Sequence, residues 1–117
     1  MAGRKSIGAR GESTAAKYLE RLGYRIRERN YRCPLGEIDL VAIKDEFIVF
    51  IEVKTRSAGA PLAPSQSVTA RKRAKVRRLG EYYCAQHTEL PLQPRFDVVS
   101  VVAGAGAEKV EHLINAF

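Results

Sequence analysis

A chain of 117 residues carrying a net charge of +7 is sized for one compact unit, so residues 1–117 are expected to form a single domain. Hydrophobic residues make up 45% of it, enough for a core, yet no apolar run approaches the roughly 20 residues of a membrane span. The basic N-terminus lacks the apolar stretch of a secretory signal, Cys33 and Cys84 form no CxxC pair, and two histidines are too few for a His-rich metal site; together these argue against a disulfide framework or zinc site and fit a reducing cytoplasm.

In chain order, the first predicted element is a helix with Ser6 as its cap and Gly23 as its stop. Ala15, Ala16, Leu19 and Leu22 recur at helical spacing and define its inner face. Glu12 precedes Ala15 and Ala16 by three and four residues, so it lies on or beside that face, where a carboxylate is out of place. Residues 24–32 alternate and read as an edge strand that carries Arg25, Arg27, Arg29 and Arg32. A turn at 33–36 leads into two stronger strands, about 37–43 and 47–54, joined at 44–46 as an antiparallel hairpin. Residues 55–67 are small, polar and proline-containing, which predicts an exposed, mobile loop.

A second helix is expected from about 69 to 86, with Val76, Leu79 and Tyr83 as its apolar stripe. Its first half places six cations in the eight positions 71–78. Such a cluster prefers polyanions, of which nucleic acid is the commonest; a merely solubilising surface is the plain alternative. Residues 95–103 are apolar on both faces and read as a central strand, and 104–107 turn it into a short last strand. The order α-β-β-β-α-β-β predicts an α/β fold, a mixed sheet flanked by helices.

The hairpin carries the chemistry. Side chains alternate along a strand, so Glu37, Asp39, Val41 and Ile43 share one face, and Ile48, Phe50, Glu52 and Lys54 share one face of the next. An even number of unpaired residues around Asp45 and Glu46 pairs Ile43 with Ile48 and Val41 with Phe50. Asp39 then falls opposite Glu52, with Cβ atoms roughly 4.5–5.5 Å apart. A three-residue loop would put the two acids on opposite faces. Paired carboxylates among Ile and Phe repel each other and resist desolvation. A divalent cation offsets that cost, and one or two carboxylates with water and substrate phosphate suit Mg²⁺. Lys54 projects from the face of Glu52, where it can neutralise an acid, hold an attacking water or stabilise charge on a phosphate. Glu12 adds a further carboxylate if the first helix packs on this side. Two other readings stand beside this one: a buried Asp/Glu–Lys cluster that balances itself, and an exposed face with ordinary cross-strand pairs.

Asp39 followed by Glu52-Val53-Lys54 across a hairpin resembles the D-x(n)-E-x-K signature of the PD-(D/E)xK nucleases, the restriction-endonuclease-like fold. Gly11-Glu12 with Ala16, Tyr18 and Leu19, then "GEIDL", "FIEVKTR", "RFDVV" and "INAF", resemble in this order the YraN-like family of small bacterial proteins. That family is itself similar to archaeal Holliday-junction resolvases, and the resemblance covers nearly the whole chain. It implies that Asp39 and Glu52 bind Mg²⁺ or Mn²⁺, with the Val53 carbonyl as a third protein ligand. It also implies Lys54 as the catalytic lysine and Glu12 as a helix-one glutamate that joins the site through the metal or a water. Ile38 stands where the superfamily's name has proline, a loose part of the pattern.

The expected function is therefore that of a metal-dependent endonuclease acting on DNA, branched or Holliday-junction-like duplexes included. A nucleic-acid-binding module that keeps the fold but cleaves little is the alternative. A homodimer with one site per strand would suit a branched duplex. Among the other residues, Arg56 either grips a phosphate or is a solvated arginine, and Gln66 either contacts the scissile phosphate or is an ordinary loop residue. Lys72 and Lys75 precede Val76 and Leu79 by four residues each, so they approach the sheet and are the first choices for nucleic-acid contact, with Arg71 next. Glu37 either supports the site or is solvated; Tyr82 and Tyr83 read as core, and His87 and His112 as structural or surface residues.

Overall fold

The order of elements follows the periodicity of the sequence: α1 (Ala2–Arg21), β1 (Arg25–Cys33), β2 (Gly36–Lys44), β3 (Phe47–Ser57), α2 (Ala70–Gln86), β4 (Gln93–Ala103) and β5 (Lys109–Leu113). The structure, a computed structural model, describes residues 2–57, 69–89, 92–103 and 109–116. The five strands form one mixed sheet in the order β1-β2-β3-β4-β5, antiparallel except for the parallel pair β3/β4. This α/β architecture is compatible with the restriction-endonuclease-like core that the sequence predicts. Among the described residues, no helix is long and apolar enough to cross a membrane.

Alternation along β3 builds two cores, one on each face of the sheet. Val49 and Ile51 point to α1, where Ala15, Ala16 and Leu19 pack with Leu40, Ala42, Val99 and Val101. Ile48 and Phe50 point to α2, where Val76, Leu79 and Tyr83 pack with Ile38, Val41 and Phe96. Close approach depends on small residues. A Cβ on Gly80 of α2 would come within 2.8 Å of the Phe96 ring, and one on Gly11 of α1 would collide with the Thr55 hydroxyl.

Three sequence expectations are corrected here. Helix α1 begins at Ala2, so Ser6 lies inside it and is not its cap. Leu22 lies past the helix end and is 48% exposed, so it is not part of the inner face. The chain leaves the helix there through Gly23, at φ 94°, with Gly23 N–H bonded to Glu20 O and Tyr24 N–H to Leu19 O. This left-handed exit swings Leu22 away from the sheet and Tyr24 into it. Finally, β3 continues through Thr55, Arg56 and Ser57, which pair with Val101, Val102 and Ala103. Their composition reads as loop, but a long parallel partner extends the strand. The rest of that expected loop, with Gln66, and the expected turn at 104–107 lie outside the described residues.

Candidate active site

The site is built where the β2/β3 hairpin opens. A two-residue turn, Asp45-Glu46, joins the strands, and Asp45 takes φ 53°, a left-handed conformation that Asp tolerates. The ladder runs Lys44↔Phe47, Ile43↔Ile48, Ala42↔Val49, Val41↔Phe50 and Leu40↔Ile51. This is the even register. The ladder ends there, one residue short of Asp39 and Glu52. Beyond Leu40/Ile51 the paired backbone gives way to a side-chain contact, as the Val53 N–H donates to Asp39 Oδ2 at 2.8 Å. The carboxylate of Asp39 is thus anchored on the strand that carries Glu52 and Lys54.

Asp39, Glu52, Val53 and Lys54 line one cleft of about 490 Å³, whose α2 wall holds Lys72 and Lys75. Glu52 is only 4% exposed, and its Oε1 accepts from Lys72 Nζ at 2.8 Å. Lys72 sits in the first turn of α2, and its own N–H donates to Oγ1 of the N-cap Thr69 at 3.2 Å. The cap fixes the turn that aims Lys72 at Glu52.

Electrostatics in the cleft follow from crowding. Burial and the charge of Glu52 push Asp39 up to about 6, with a further push from Glu12 and opposition from the Val53 N–H and Lys72. Burial and the neighbouring Lys72 ammonium lower Lys54, against Glu52 and Asp39. Burial also acts against the Lys72 ammonium, but its direct bond to Glu52 outweighs this and holds it in the charged form. The result is a lysine with a weakened hold on its proton beside two acids.

The donor set has the chemistry of a divalent-cation site. Two carboxylates and a backbone carbonyl are hard oxygen donors of the kind that Mg²⁺ takes while keeping several waters. The upward push on Asp39 from Glu52 marks repulsion that a cation would relieve. The residues present therefore fit the ion. Among the described residues no group of three or more His, Cys, Asp or Glu side chains is close enough to hold one.

Glu12 is placed differently from the condition that would bring it to Glu52. Helix α1 packs on the opposite face of the sheet, against Val49 and Ile51, and Glu12 is felt at Asp39 through its charge. Arg56 lies within β3 with its side chain 18% exposed, and is therefore not a solvated arginine. Arg71 and Lys75 are exposed on α2, and Lys75 lines the cleft. Glu37 is exposed and lies 3.9 Å from Arg32. Tyr83 is fully buried in the α2-side core, and His87 stacks on it at 4.0 Å.

Two polar groups beside this region went unread in the sequence. Ser100 is buried on β4 directly across from Lys54, and Glu111 on β5 is across from Ser100. A lone serine in an apolar strand was the available signal. His112 and Asp97 belong to the other face: His112 Nε2 donates to Asp97 Oδ2 at 2.8 Å, and Arg95 and the Asn115 N–H complete that buried knot.

Fold and site together define a mixed α/β protein that holds two acids and a lysine at the open end of a central hairpin. The profile of the Uncharacterised protein family UPF0102 matches residues 11–101, and the chain belongs to that family, the YraN-like group. It is 47% identical over 114 residues to a UPF0102 protein of Beutenbergia cavernae, covering 97% of each chain. A UPF0102 protein of Moorella thermoacetica is 53% identical over 98 residues, 84% of this chain and 82% of the relative. One of Caldanaerobacter subterraneus subsp. tengcongensis is 41% identical over 117 residues, 97% of this chain and 96% of the relative.

Proposed function

We propose that the chain is a Mg²⁺- or Mn²⁺-dependent endonuclease that hydrolyses phosphodiester bonds in DNA, branched duplexes included. The single observation that carries this reading is the shared cleft of Asp39, Glu52, Val53 and Lys54. Asp39, Glu52 and the Val53 carbonyl would hold the ion. When bound, the ion supplies polarisation of a phosphate oxygen and a lowered pKa for a bound water. The chain's own groups do the rest. Lys54, lowered by burial, orients the water or stabilises charge on the phosphate. Lys72 and Lys75 on the cleft wall, with Arg71 beside Lys72 on α2 and Arg56 two residues past Lys54 on β3, bind the backbone without reading bases. Glu12 tunes Asp39 through its charge. On a branched duplex two copies of the chain, one per strand, would be needed, and a cytoplasmic setting suits the free thiols of Cys33 and Cys84.

A second reading, a DNA-binding module that does not cut, draws on one contact. Lys72 already neutralises Glu52 at 2.8 Å, so the site can balance its charge without an ion. One panel separates the two: linear, flapped and four-way DNA with Mg²⁺ or Mn²⁺. The nuclease reading expects cleavage, a loss of at least about 10²-fold in Asp39→Ala and Lys54→Ala, and DNA binding largely kept. A wild-type protein that binds all three substrates and cuts none, or variants that cut as well as wild type, would sink it.

A further inference from the structure

The sheet face beyond Lys54 carries Ser100 and Glu111, which the proposed hydrolysis does not use, beside Arg56, to which that reading gives only a general backbone contact. Lys54 pairs with Ser100 across β3/β4, and Ser100 with Glu111 across β4/β5, so the three form one cross-strand row. Arg56 follows two residues along β3, on the face of Lys54, with about 6.6 Å of rise between them. Ser100 is 0% exposed, and its buried Oγ has no hydrogen-bond partner among the described residues. Nε and Nη1 of Arg56 are likewise buried with no partner among the described residues. Its Nη2 lies 3.9 Å from Glu111 Oε1, beyond hydrogen-bond length.

Buried donors without acceptors are costly, and a guanidinium more than most, because it cannot escape by losing its proton. Three such atoms on one face of adjoining strands, from residues two register steps apart, call for a ligand rich in acceptors. A guanidinium fork and a hydroxyl match a tetrahedral oxyanion, since Arg can present parallel N–H groups to two of its oxygens. A cation would be repelled by the guanidinium, and an apolar group would leave all three unsatisfied. Glu111 is the opposing charge. It is 44% exposed and its contact is long, so it can turn to solvent as an anion enters.

We propose that Arg56 and Ser100 form a second anion site, next to the Asp39–Glu52–Lys54 cleft and separate from it, whose ligand is a phosphate group. The nuclease reading supplies the source of that phosphate, a backbone phosphate that is held and not cut. The site itself needs no metal ion, and its role is to position the strand along β3.

The test uses the full chain in EDTA, where metal-dependent hydrolysis cannot proceed. Inorganic phosphate is titrated while the Arg56 Nε–H resonance is followed by NMR, and a DNA duplex is then added as competitor. Phosphate should shift that resonance in wild type and equally in Asp39→Ala. Ser100→Ala should weaken phosphate binding about tenfold, the effect of one hydrogen bond to a charged group. Glu111→Gln should tighten it, because the competing carboxylate is gone. Arg56→Lys, which keeps the charge and the fold, should not restore binding, because it loses the fork. Displacement of phosphate by the duplex assigns the site to backbone phosphate; binding without displacement upholds the site and assigns it to free phosphate. An unmoved Arg56 resonance in both wild type and Glu111→Gln, or wild-type affinity in Ser100→Ala, overturns the proposal and leaves the cleavage panel to judge the nuclease reading by itself.

Discussion

Asp39 and Asp97 are both acids on strands of the same sheet, and their surroundings drive them in opposite directions. Asp39 has one N–H donor and two acidic neighbours, and burial with the charge of Glu52 pushes it up to about 6. Burial pushes Asp97 up as well, but hydrogen bonds from His112, Arg95 and the Asn115 N–H outweigh it and hold the carboxyl below its usual range. The first is a site under repulsion. The second is a satisfied buried knot that ties β4 to β5 and, through Arg95 Nη2 on the Tyr24 hydroxyl at 2.6 Å, to the start of β1. A depressed carboxyl contributes stability that is present above its unfolded pKa and is lost as pH falls through its folded value. Wild type should therefore keep the full contribution of Asp97 at neutral pH and lose it only below about pH 4. Asp97→Asn should cost about 3–5 kcal/mol at neutral pH, because it leaves Arg95 without its buried partner. Urea unfolding at pH 7 and again near pH 3 reads both effects: the gap between the proteins should narrow in acid, and an equal gap at both values would contradict this account.

Among the elements, the β2/β3 turn decides the most. Two residues between Lys44 and Phe47 set a register that places Asp39 and Glu52 in one cleft. The same register directs Val41 and Phe50 into the α2-side core, so packing and site depend on one count. A single glycine inserted between Asp45 and Glu46 makes the loop odd. Either the strands slip, which turns core side chains outward, or the extra residue is taken up as a bulge near the turn. The first outcome unfolds the site and the second preserves it. We expect the slip to be resisted by both cores, so the insertion should lower the thermal midpoint by several degrees, the effect of about 1 kcal/mol in a domain of this size, and leave Asp39 and Glu52 together. Thermal melting and the cleavage panel on the variant check this; cleavage lost with an unchanged midpoint would show that the turn sets the site without the cores.

For the whole molecule the governing quantity is charge. The net +7 is spread over exposed Arg25, Arg29 and Arg32 on the edge strand β1 and exposed Arg71 and Lys75 on α2. If these cations meet DNA phosphates as proposed, they release counterions, and DNA affinity should fall linearly with the logarithm of salt concentration. If Lys75 neutralises one phosphate, Lys75→Ala should reduce the steepness of that line by about 0.9, in fluorescence anisotropy with EDTA present. A flat salt dependence in wild type would point to a partner other than nucleic acid.

The element order, the inner face of α2, that of α1 apart from Leu22, and the hairpin register were legible in the sequence. Each rests on short-range information: a period of two along β2 and β3, a two-residue turn, a helical stripe at Val76, Leu79 and Tyr83. So did the convergence of Asp39, Glu52 and Lys54 on one cleft. What only the tertiary structure decided depends on partners far apart in the chain. Parallel pairing with β4 turned Thr55 to Ser57 from apparent loop into strand and set Arg56 and Lys54 beside Ser100 and Glu111. The core put α1 on the face of the sheet opposite Glu52, and the capped first turn of α2 brought Lys72 onto Glu52. No periodicity records which face a helix chooses or where a parallel strand is aligned, because those choices are made by cores that residues far apart in the chain build together.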